Sequence, residues 1–169
     1  IKFCRYANGL TLSWRQTVRD WSEFDLVVIR TPWDYQRDAE KFLDVLDEIE
    51  ESTKLANPAA VARWNFDKHY LLELQHDGID VVSTIWDEEY TAANFAIWQV
   101  ALRSETLIIK PTISATAEHT YKIDSFDGSL LSVFYDRSFM VQPFVESIVT
   151  EGEFSLFFFN GEYSHTILK

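Results

Sequence analysis

The sequence predicts an α/β N-terminal part that is followed by an α+β part. An apolar run of strand length precedes an amphipathic stretch, and strand-like runs joined by short turns dominate the second half of the chain. With 169 residues, 47% of them hydrophobic, the chain can bury the core of one large or two small domains. Five glycines and four prolines are too few for a low-complexity or disordered chain.

The N-terminal part is predicted to contain a strand, a helix and a second strand. Residues 24–30, FDLVVIR, form a continuous apolar run, which is typical of a parallel strand covered on both faces. A helix is predicted from Asp38 to Glu51, because one apolar stripe recurs there at helical spacing. The stripe consists of Phe42, Val45, Leu46 and Ile49. Residues 55–58, LANP, return as a short strand and turn, so we expect a right-handed crossover.

Two further helices are predicted in the middle of the chain. Residues 65–78, NFDKHYLLELQHDG, begin with two possible capping residues, Asn65 and Asp67. Gly78 lies where a left-handed residue is expected to end this helix. Residues 91–104, TAANFAIWQVALRS, are predicted to form the other helix.

Antiparallel β-structure is predicted for the second half of the chain. Strands are expected at residues 79–86, 107–110 and 138–145, and a hairpin closes the chain. Asn160 and Gly161 are predicted to form the turn of this hairpin, because both turn positions require positive φ.

The change from α/β to antiparallel patterning falls at about residues 84–92. We therefore expect an α/β domain over residues 1–84, which runs into a linking helix, and a second domain over residues 85–169. The chain starts at Ile1 without a methionine and stops at Lys169 inside an apparent strand. We expect the fold to be incomplete at these ends.

Composition excludes several classes of partner. The formal net charge is −12, and no cluster of Lys and Arg matches a phosphate backbone, so nucleic acid and anionic membranes are not expected as partners. No apolar run approaches the roughly 18–20 residues that span a bilayer, and no secretory signal opens the chain. The single cysteine, Cys4, excludes an internal disulfide framework and fits a reducing compartment, so a cytoplasmic protein is expected.

Lys110 is the first candidate for a binding residue. It ends the apolar run LIIK, and Pro111 follows at once. An ammonium group at the end of a core strand is costly to desolvate unless an anion meets it. A lysine in this position can act as a point charge on phosphate oxygens. The alternative is a lysine that extends its ammonium group into water at the end of the sheet.

The segment MVQPFV, residues 140–145, is predicted to leave the sheet as a linker. Pro143 has no backbone donor and is unsuited to a central strand position. Free N–H and C=O groups in such a linker could pair with the edge of an adenine. The residues that would supply them are Gln142, Pro143, Phe144 and Val145.

Lys68 and three glutamates are further candidates for ligand contact. Lys68 is predicted in the first turn of the helix over residues 65–78, where the helix dipole disfavours a cation unless an anion is near. The alternative is an exposed lysine. Glu146, Glu151 and Glu153 follow the predicted linker and could bond ribose hydroxyls or hold Mg²⁺. Their alternative is a solvated acidic turn.

The segment RTPWDY, residues 30–35, follows the first predicted strand. Open α/β sheets place ligand crevices at the carboxyl ends of their strands. Arg30, Asp34 and Tyr35 are therefore candidates for substrate contact.

Other kinds of site lack their sequence signals. His69 and His76 lie seven residues apart, but no third ligand has metal-site spacing, so a zinc site is not predicted. The sequence contains no G-x-S-x-G, no Walker A motif and no G-x-G-x-x-G.

Taken together and in order, four segments resemble an ATP-grasp ligase of the glutathione-synthetase-like type. They are distributed from residue 24 to residue 169, and the resemblance extends to bacterial ATP-grasp proteins that include the cycloserine-forming ligase. The segments are FDLVVIRTPWDY, NPAAVARWNFDKHYLLEL, LIIKPTISA and MVQPFVESIVTEGEFSLFFFNGEYSHTILK.

The resemblance implies an ATP-dependent carboxylate–amine ligase with ATP and Mg²⁺ as cofactors. ATP would phosphorylate a small-molecule carboxylate to an acyl phosphate. An amine would then attack the acyl phosphate, form an amide and release phosphate. The family places ATP between two β-rich layers, where cations offset the phosphate charge.

The resemblance also implies a role for individual residues. Lys68 and Lys110 would contact the phosphates, and residues 142–145 would line the adenine. Glu146 or Glu151 would lie near the ribose. Lys169, at the end of the predicted hairpin, could face the nucleotide.

Two departures from the family pattern leave alternatives open. The loop after Lys110, TISATAEHT, contains no glycine, whereas the loop of many relatives is glycine-rich, so its backbone is less free. The acidic and Asn ligands of Mg²⁺ usually follow the hairpin, where this sequence stops. The alternatives are a catalytically inactive ATP-grasp-like binding protein and a phosphotransferase that uses the same cleft.

Overall fold

The N-terminal part is a parallel strand–helix–strand unit, as the sequence predicts. A computed structural model describes residues 8–16, 20–86 and 89–169, so that Cys4 lies outside the described residues. Strand β1 (Val27–Val28) pairs in parallel with β2 (Leu55–Ala56), and helix α1 (Ala39–Ser52) connects them. The helix and the parallel pairing of the two strands are confirmed.

Strand β1 is shorter and more exposed than its apolar sequence predicts. Only Val27 and Val28 pair, and Val28 is 53% exposed. A parallel strand is buried on both faces only where both faces are covered, and the core of this unit lies on one side. The expectation that residues 24–30 form a fully covered strand is therefore wrong.

A hydrophobic cluster joins α1 to the two strands and to the next helix, α2 (Ala59–Phe66). The predicted stripe of α1 faces this cluster, where Leu46 is 2% exposed. Trp14 and Tyr35 pack on the ring of Phe42, with ring centroids 5.3 and 5.6 Å apart. The buried members of the cluster are Trp21, Phe42, Val45, Leu46, Ile49, Leu55, Ala59 and Phe66.

The single helix predicted over residues 65–78 is instead two helices with a break between them. Helix α2 ends at Phe66, and α3 (Tyr70–His76) begins after three residues. Asp67 is extended, and its carboxylate accepts the backbone N–H of His69 at 3.0 Å. Asp side chains that bond the nearby backbone in this way compete with helical hydrogen bonding. The expected left-handed stop is confirmed, since Gly78 has φ +82°.

The second half of the chain forms a four-stranded antiparallel sheet in the order β3-β6-β4-β5. The strand expected at residues 79–86 pairs over Ile85–Trp86 alone, whereas the helix predicted over residues 91–104 is confirmed as α4. The elements are β3 (Ile85–Trp86), α4 (Ala92–Leu102), β4 (Leu107–Pro111), β5 (Tyr121–Ile123), a 3-10 helix (Gly128–Leu130), α5 (Leu131–Phe134) and β6 (Phe139–Pro143).

Aromatic residues dominate the core of this sheet. Trp98 of α4 is 1% exposed and packs on Phe139, with ring centroids 5.9 Å apart. Tyr90 contacts the same cluster and donates its hydroxyl to the Asp127 carbonyl at 3.1 Å. The buried members are Tyr90, Phe95, Trp98, Leu107, Ile109, Leu130, Phe134, Phe139 and Val141.

The prediction that the chain leaves the sheet at Pro143 is wrong. Pro143 is the last residue of β6, a central strand, and lies opposite Leu107 of β4. Phe144 donates its N–H to the Thr106 carbonyl at 3.0 Å, so the Pro143 nitrogen faces the β3 side. Strand β3 pairs only opposite Met140 and Val141. Proline is tolerated because no ladder bond is lost there.

A two-stranded hairpin closes the described chain. Helix α6 (Ser147–Thr150) leads into β7 (Phe154–Phe159) and β8 (Glu162–Leu168). The predicted turn is confirmed, since Asn160 and Gly161 have φ values of +51° and +82°. No helix among the described residues is long and apolar enough to cross a membrane.

Replacing Gly152 by alanine is expected to open the base of the hairpin. Gly152 has φ +88°, and an added Cβ would lie 2.6 Å from the Lys169 carbonyl oxygen. Gly161 has a similar φ of +82° but open space around its Cα, so Gly161→Ala reports the backbone strain alone. The steric clash adds about 1–3 kcal/mol. The Glu153 and Lys169 amides, which bond each other's carbonyls, should therefore exchange about tenfold faster in Gly152→Ala than in Gly161→Ala. Equal exchange rates would contradict the close approach.

Candidate functional site

Lys110 lies on the face of β4 opposite the main core. Leu107, Ile109 and Pro111 are buried, while Ile108 and Lys110 between them are half-buried. Burial lowers the pKa of the Lys110 ammonium group. Among the described residues, no hydrogen bond or ion pair to this ammonium group is found. The charge is thus partly desolvated, and the part of the chain that the structure describes supplies no counter-charge to offset this cost.

Lys68 reaches the end of the same strand from the break between α2 and α3. Its ammonium group donates to the Pro111, Thr112 and Ser114 carbonyl oxygens at 3.2, 2.9 and 3.2 Å. It also contacts the Ser114 hydroxyl at 2.9 Å. The expected placement in the first turn of a helix is wrong, because the chain breaks at Asp67 before α3 begins.

The two lysines form a region of concentrated positive charge. The pKa of Lys68 is lowered to about 8, first by burial and then by the positive charge of Lys110, while the Asp67 carboxylate opposes the shift. Carbonyl oxygens satisfy the Lys68 hydrogen bonds but carry no net charge. An anion placed beside both ammonium groups would therefore be stabilised by each of them.

The segment that follows β4 is the β4–β5 loop, residues 112–120. Thr112, at its start, is 1% exposed. The Thr112 hydroxyl donates to the Asp67 carboxylate at 3.2 Å and lies 3.1 Å from the Ser138 hydroxyl. These bonds attach the loop to the break between α2 and α3 and to the start of β6.

Left-handed backbone occurs in the β4–β5 loop although it contains no glycine. Thr116, Ala117 and His119 have φ values of +54°, +58° and +56°. For residues with a Cβ this conformation costs about 1–2 kcal/mol each. The loop thus takes the tight turns that glycine would permit, and contacts elsewhere must offset the strain.

Glu118 holds the far end of the β4–β5 loop. Its carboxylate accepts the Gln36 side-chain N–H at 2.9 Å and lies 3.9 Å from the Arg37 guanidinium. The hydrogen bond from Gln36, followed by the positive charge of Arg37, lowers the pKa of the Glu118 carboxyl. This contact joins the loop to a 3-10 helix, Tyr35–Arg37, of the N-terminal unit.

Of the four residues predicted to line the adenine, two have polar groups that are already hydrogen-bonded within the protein. The Gln142 side chain is buried and donates to the Thr84 hydroxyl at 2.9 Å, and the Phe144 N–H is bonded to Thr106. No backbone acceptor among the described residues is found for the Val145 N–H. Pro143 and Val145 are half-buried. An adenine role for these residues stays a prediction.

The predicted ribose residues and the hairpin lysine are exposed. Glu146 precedes α6 and Glu151 follows it. The Lys169 ammonium group lies 3.7 Å from the Glu153 carboxylate, an ion pair in which both side chains are 64% exposed. Their roles in nucleotide binding stay predictions.

The three predicted substrate residues differ in their surroundings. Arg30 is exposed at the end of β1. Asp34 accepts hydrogen bonds from the Trp14 indole at 2.8 Å and the Arg15 guanidinium at 2.6 Å, which lower the pKa of its carboxyl. Tyr35 packs between Phe42 and Phe66, and burial raises the pKa of its phenol. Asp34 and Tyr35 thus have structural contacts, and their role in substrate contact stays a prediction.

Several residues of the site escape sequence reasoning. Asp67 and Thr112 carry a signal only in hindsight, as polar residues beside the two lysines. Gln36 and Glu118 are 82 residues apart, and no local pattern joins them. Glu118 alone has a signal, because it is the single acidic residue in a loop of small and polar residues.

No metal centre is found among the described residues. No group of three or more His, Cys, Asp or Glu side chains there could hold a metal ion. His69 lies 2.6 Å from the Asp67 carboxylate and packs on Trp86, with ring centroids 4.7 Å apart.

Comparisons with known proteins identify relatives of both halves of the chain. The family model of the N-terminal domain of D-cycloserine synthetase DcsG matches residues 7–57. The cycloserine biosynthesis protein DcsG of Streptomyces lavendulae is 31% identical over 181 residues, which cover all of this chain and 60% of that protein. The chain therefore spans less than two thirds of this curated relative.

Solved structures share the fold. The crystal structure of D-cycloserine synthetase DcsG matches with a TM-score of 0.76 and 28% identity, over 92% of this chain and 56% of that one. D-alanyl-alanine synthetase A of Vibrio cholerae matches with a TM-score of 0.55 and 14% identity, over 83% of this chain and 43% of that one. Carboxyaminoimidazole ribonucleotide synthase of Aspergillus clavatus, complexed with ATP, matches with a TM-score of 0.56 and 18% identity, over 74% and 32%.

The architecture and the relatives agree on one classification. A parallel α/β unit precedes an antiparallel sheet, and the match to DcsG covers both. The predicted fold class is therefore confirmed, with this chain corresponding to part of the fold. The chain belongs to the ATP-grasp superfamily and is a homologue of D-cycloserine synthetase DcsG.

Proposed function

We propose that this chain is part of an ATP-dependent carboxylate–amine ligase. ATP phosphorylates a substrate carboxylate, whose oxygen attacks the γ-phosphorus and releases ADP. An amine then attacks the carbonyl carbon of the acyl phosphate, forming the amide and releasing phosphate. The substrates are a small-molecule acid and a small-molecule amine. The similarity to D-cycloserine synthetase DcsG over the whole chain supports this chemistry.

The observation that carries the proposal is the pair of half-buried lysines at the end of β4. Lys110 has no counter-charge among the described residues, and burial, followed by the positive charge of Lys110, lowers the pKa of Lys68. A polyphosphate carries several negative charges, which suit two neighbouring ammonium groups. Both ammonium groups would neutralise charge on the ATP phosphates, which is the main task of a protein in phosphoryl transfer.

The end of β6 supplies groups that suit an adenine. The Val145 N–H has no backbone acceptor among the described residues, and a purine ring nitrogen could accept it. Gln142 contributes to the adenine site indirectly, because the hydrogen bond from its side chain to the Thr84 hydroxyl holds the segment at Thr84 beside β6. Pro143 and Phe144 line the same edge. We assign Glu146 or Glu151 to the ribose and Lys169 to the nucleotide from the resemblance alone.

The acceptor substrate is assigned to the segment after β1. Arg30 is exposed there and could bind a substrate carboxylate. Asp34 and Tyr35 would shape this side through their contacts with Trp14, Arg15 and Phe42. In this division, residues 1–84 form the α/β domain on the acceptor side, and residues 85–169 form part of the nucleotide-binding domain.

Mg²⁺ enters the proposal only as the ion that accompanies ATP. The described residues do not offer three carboxylate or imidazole ligands in one place, so no metal ligand is assigned to them. We propose a cytoplasmic enzyme without nucleic-acid or membrane partners, in line with the net charge of −12.

Lys110→Ala is expected to weaken ATP binding at least tenfold, about 1.4 kcal/mol. The measurement is a calorimetric titration of the whole protein with a non-hydrolysable ATP analogue and Mg²⁺. Lys41→Ala is the matched control, because Lys41 is an exposed lysine of α1. Wild-type protein that binds no analogue, or equal affinity in the two variants, would count against the proposal.

ATP binding is also expected to weaken as the pH rises through about 8. The folded-state pKa of Lys68 is lowered to about 8, so Lys68 is mostly charged at pH 7 and mostly neutral at pH 9. Phosphate binding favours the charged form and takes up a proton. Between these pH values the affinity should fall up to about tenfold, in proportion to the charged fraction.

Lys68→Arg provides the control for this pH profile. A guanidinium group stays protonated throughout the range, so the variant should lose most of the decline whatever its absolute affinity. The same decline in wild type and in Lys68→Arg would assign the titration to another group.

A further inference from the structure

The β4–β5 loop is held at two points by residues from outside the antiparallel sheet. Near its start, Lys68 bonds the oxygens of residues 111, 112 and 114. Near its end, Gln36 donates to Glu118 at 2.9 Å, and Arg37 lies 3.9 Å from the same carboxylate. The first point belongs to the nucleotide side of the proposed site. The second belongs to the acceptor side.

The acceptor side offers a firm support for Glu118. Gln36 lies in the 3-10 helix Tyr35–Arg37, and Tyr35 is packed between the rings of Phe42 and Phe66. The preceding residue, Asp34, is bonded to Trp14 and Arg15. This helix is therefore fixed independently of the loop.

Gln36 itself has one hydrogen-bonding partner in the described structure. Its Nε2 donates to Glu118, whereas its buried Oε1 has no hydrogen-bond partner among the described residues. A buried polar atom without a partner is unfavourable. The bond to Glu118 is thus the polar contact that keeps the Gln36 side chain in this position.

The backbone around Glu118 needs such a contact. Ala117 and His119, on either side of Glu118, have left-handed φ values of +58° and +56°. Residues with a Cβ leave this conformation unless neighbouring contacts offset its cost. The Glu118 carboxylate is bonded at the centre of the strained stretch.

We propose that Glu118 is a positioning residue that fixes the β4–β5 loop to the acceptor side of the site through Gln36 and Arg37. The inference rests on the proposed function, in which this loop follows the phosphate-binding Lys110. The contact orders the loop before ATP binds, so ATP binding does not have to order it. An acceptor bound at residues 30–35 would lie beside the 3-10 helix Tyr35–Arg37, which holds Glu118. The contact between Glu118 and this helix therefore connects the acceptor side of the site to the loop on its nucleotide side.

The first test is amide hydrogen exchange of the whole protein without nucleotide. In Glu118→Ala, amides of residues 113–120 should exchange about tenfold faster, as expected for loss of a hydrogen bond to a charged group. Glu118→Gln should change the exchange little, because its amide oxygen can still accept from Gln36. Glu105→Ala removes one exposed carboxylate elsewhere and should leave the loop unchanged.

A purely structural role predicts a different pattern. Loss of general stability would speed exchange in α1 and α4 as well as in the loop. Uniform acceleration, or an unchanged loop in Glu118→Ala, would overturn the proposal. Gln36→Met should accelerate exchange of the same loop amides, and the double variant Gln36→Met/Glu118→Ala should exchange no faster than Glu118→Ala alone, because Glu118→Ala already removes the contacts with both Gln36 and Arg37.

A second test links the loop to the nucleotide. The affinity for a non-hydrolysable ATP analogue should fall about three- to tenfold in Glu118→Ala and stay near the wild-type value in Glu118→Gln. Equal affinities of wild type and Glu118→Ala would refute the link to the nucleotide. Wild-type protein that binds no analogue would contradict the proposed function instead, and the exchange result would still decide whether Glu118 fixes the loop.

Discussion

The bonds between the Lys68 ammonium group and the oxygens at the end of β4 organise the rest of this structure. The side chain of Lys68 contacts three carbonyl groups, and its backbone N–H donates to the Thr112 carbonyl at 3.1 Å. One residue thus attaches the break between α2 and α3 to the start of the β4–β5 loop by both its main chain and its side chain. Asp67 reinforces this attachment through the Thr112 hydroxyl. The helix break, the end of the strand and the loop consequently form one unit.

The same unit contains unfavourable features that a purely structural region would avoid. Burial lowers the pKa of both Lys68 and Lys110, and three residues of the adjoining loop are left-handed without being glycine. Perturbed pKa values and backbone strain concentrate where a protein prepares to bind a ligand. Lys68, Lys110 and the adjoining β4–β5 loop bring both kinds of feature together in one place, whereas the left-handed residues Arg103, Asp136 and Asn160 lie elsewhere in the chain.

Local patterns in the sequence predict the elements whose causes are local. The buried stripe of α1 follows from helical periodicity, α4 starts at Thr91, whose hydroxyl caps it, and Asn160 and Gly161 turn the hairpin. The errors have causes that are partly or wholly non-local. Asp67 interrupts a helical pattern because its carboxylate bonds the backbone of His69 and the hydroxyl of Thr112. Pro143 fits a central strand because β3 ends before reaching it.

The residues of the candidate site also divide into those that local sequence patterns reveal and those that only the fold brings together. Lys110 can be found from the sequence because a charge at the end of a buried strand conflicts with its surroundings, whereas the signal for Lys68 is a helix start that the structure does not form at that residue. Glu118 stands out as the single acidic residue of its loop, but nothing in the sequence links it to Gln36, and only the folded chain brings the two residues together. A residue proposed to contact a ligand, such as Lys110, thus leaves a stronger trace in a single sequence than a residue proposed to position a loop.

The strand order β3-β6-β4-β5 has a consequence for biosynthesis. Strands β4 and β5 are neighbours in sequence and can pair soon after both leave the ribosome. Ile85 of β3, by contrast, pairs with Val141 of β6, which is translated last of the four strands. The edge of β3 therefore stays unpaired during translation of about fifty residues and the edge of β4 during translation of about thirty, an interval in which a nascent chain is most open to misassociation.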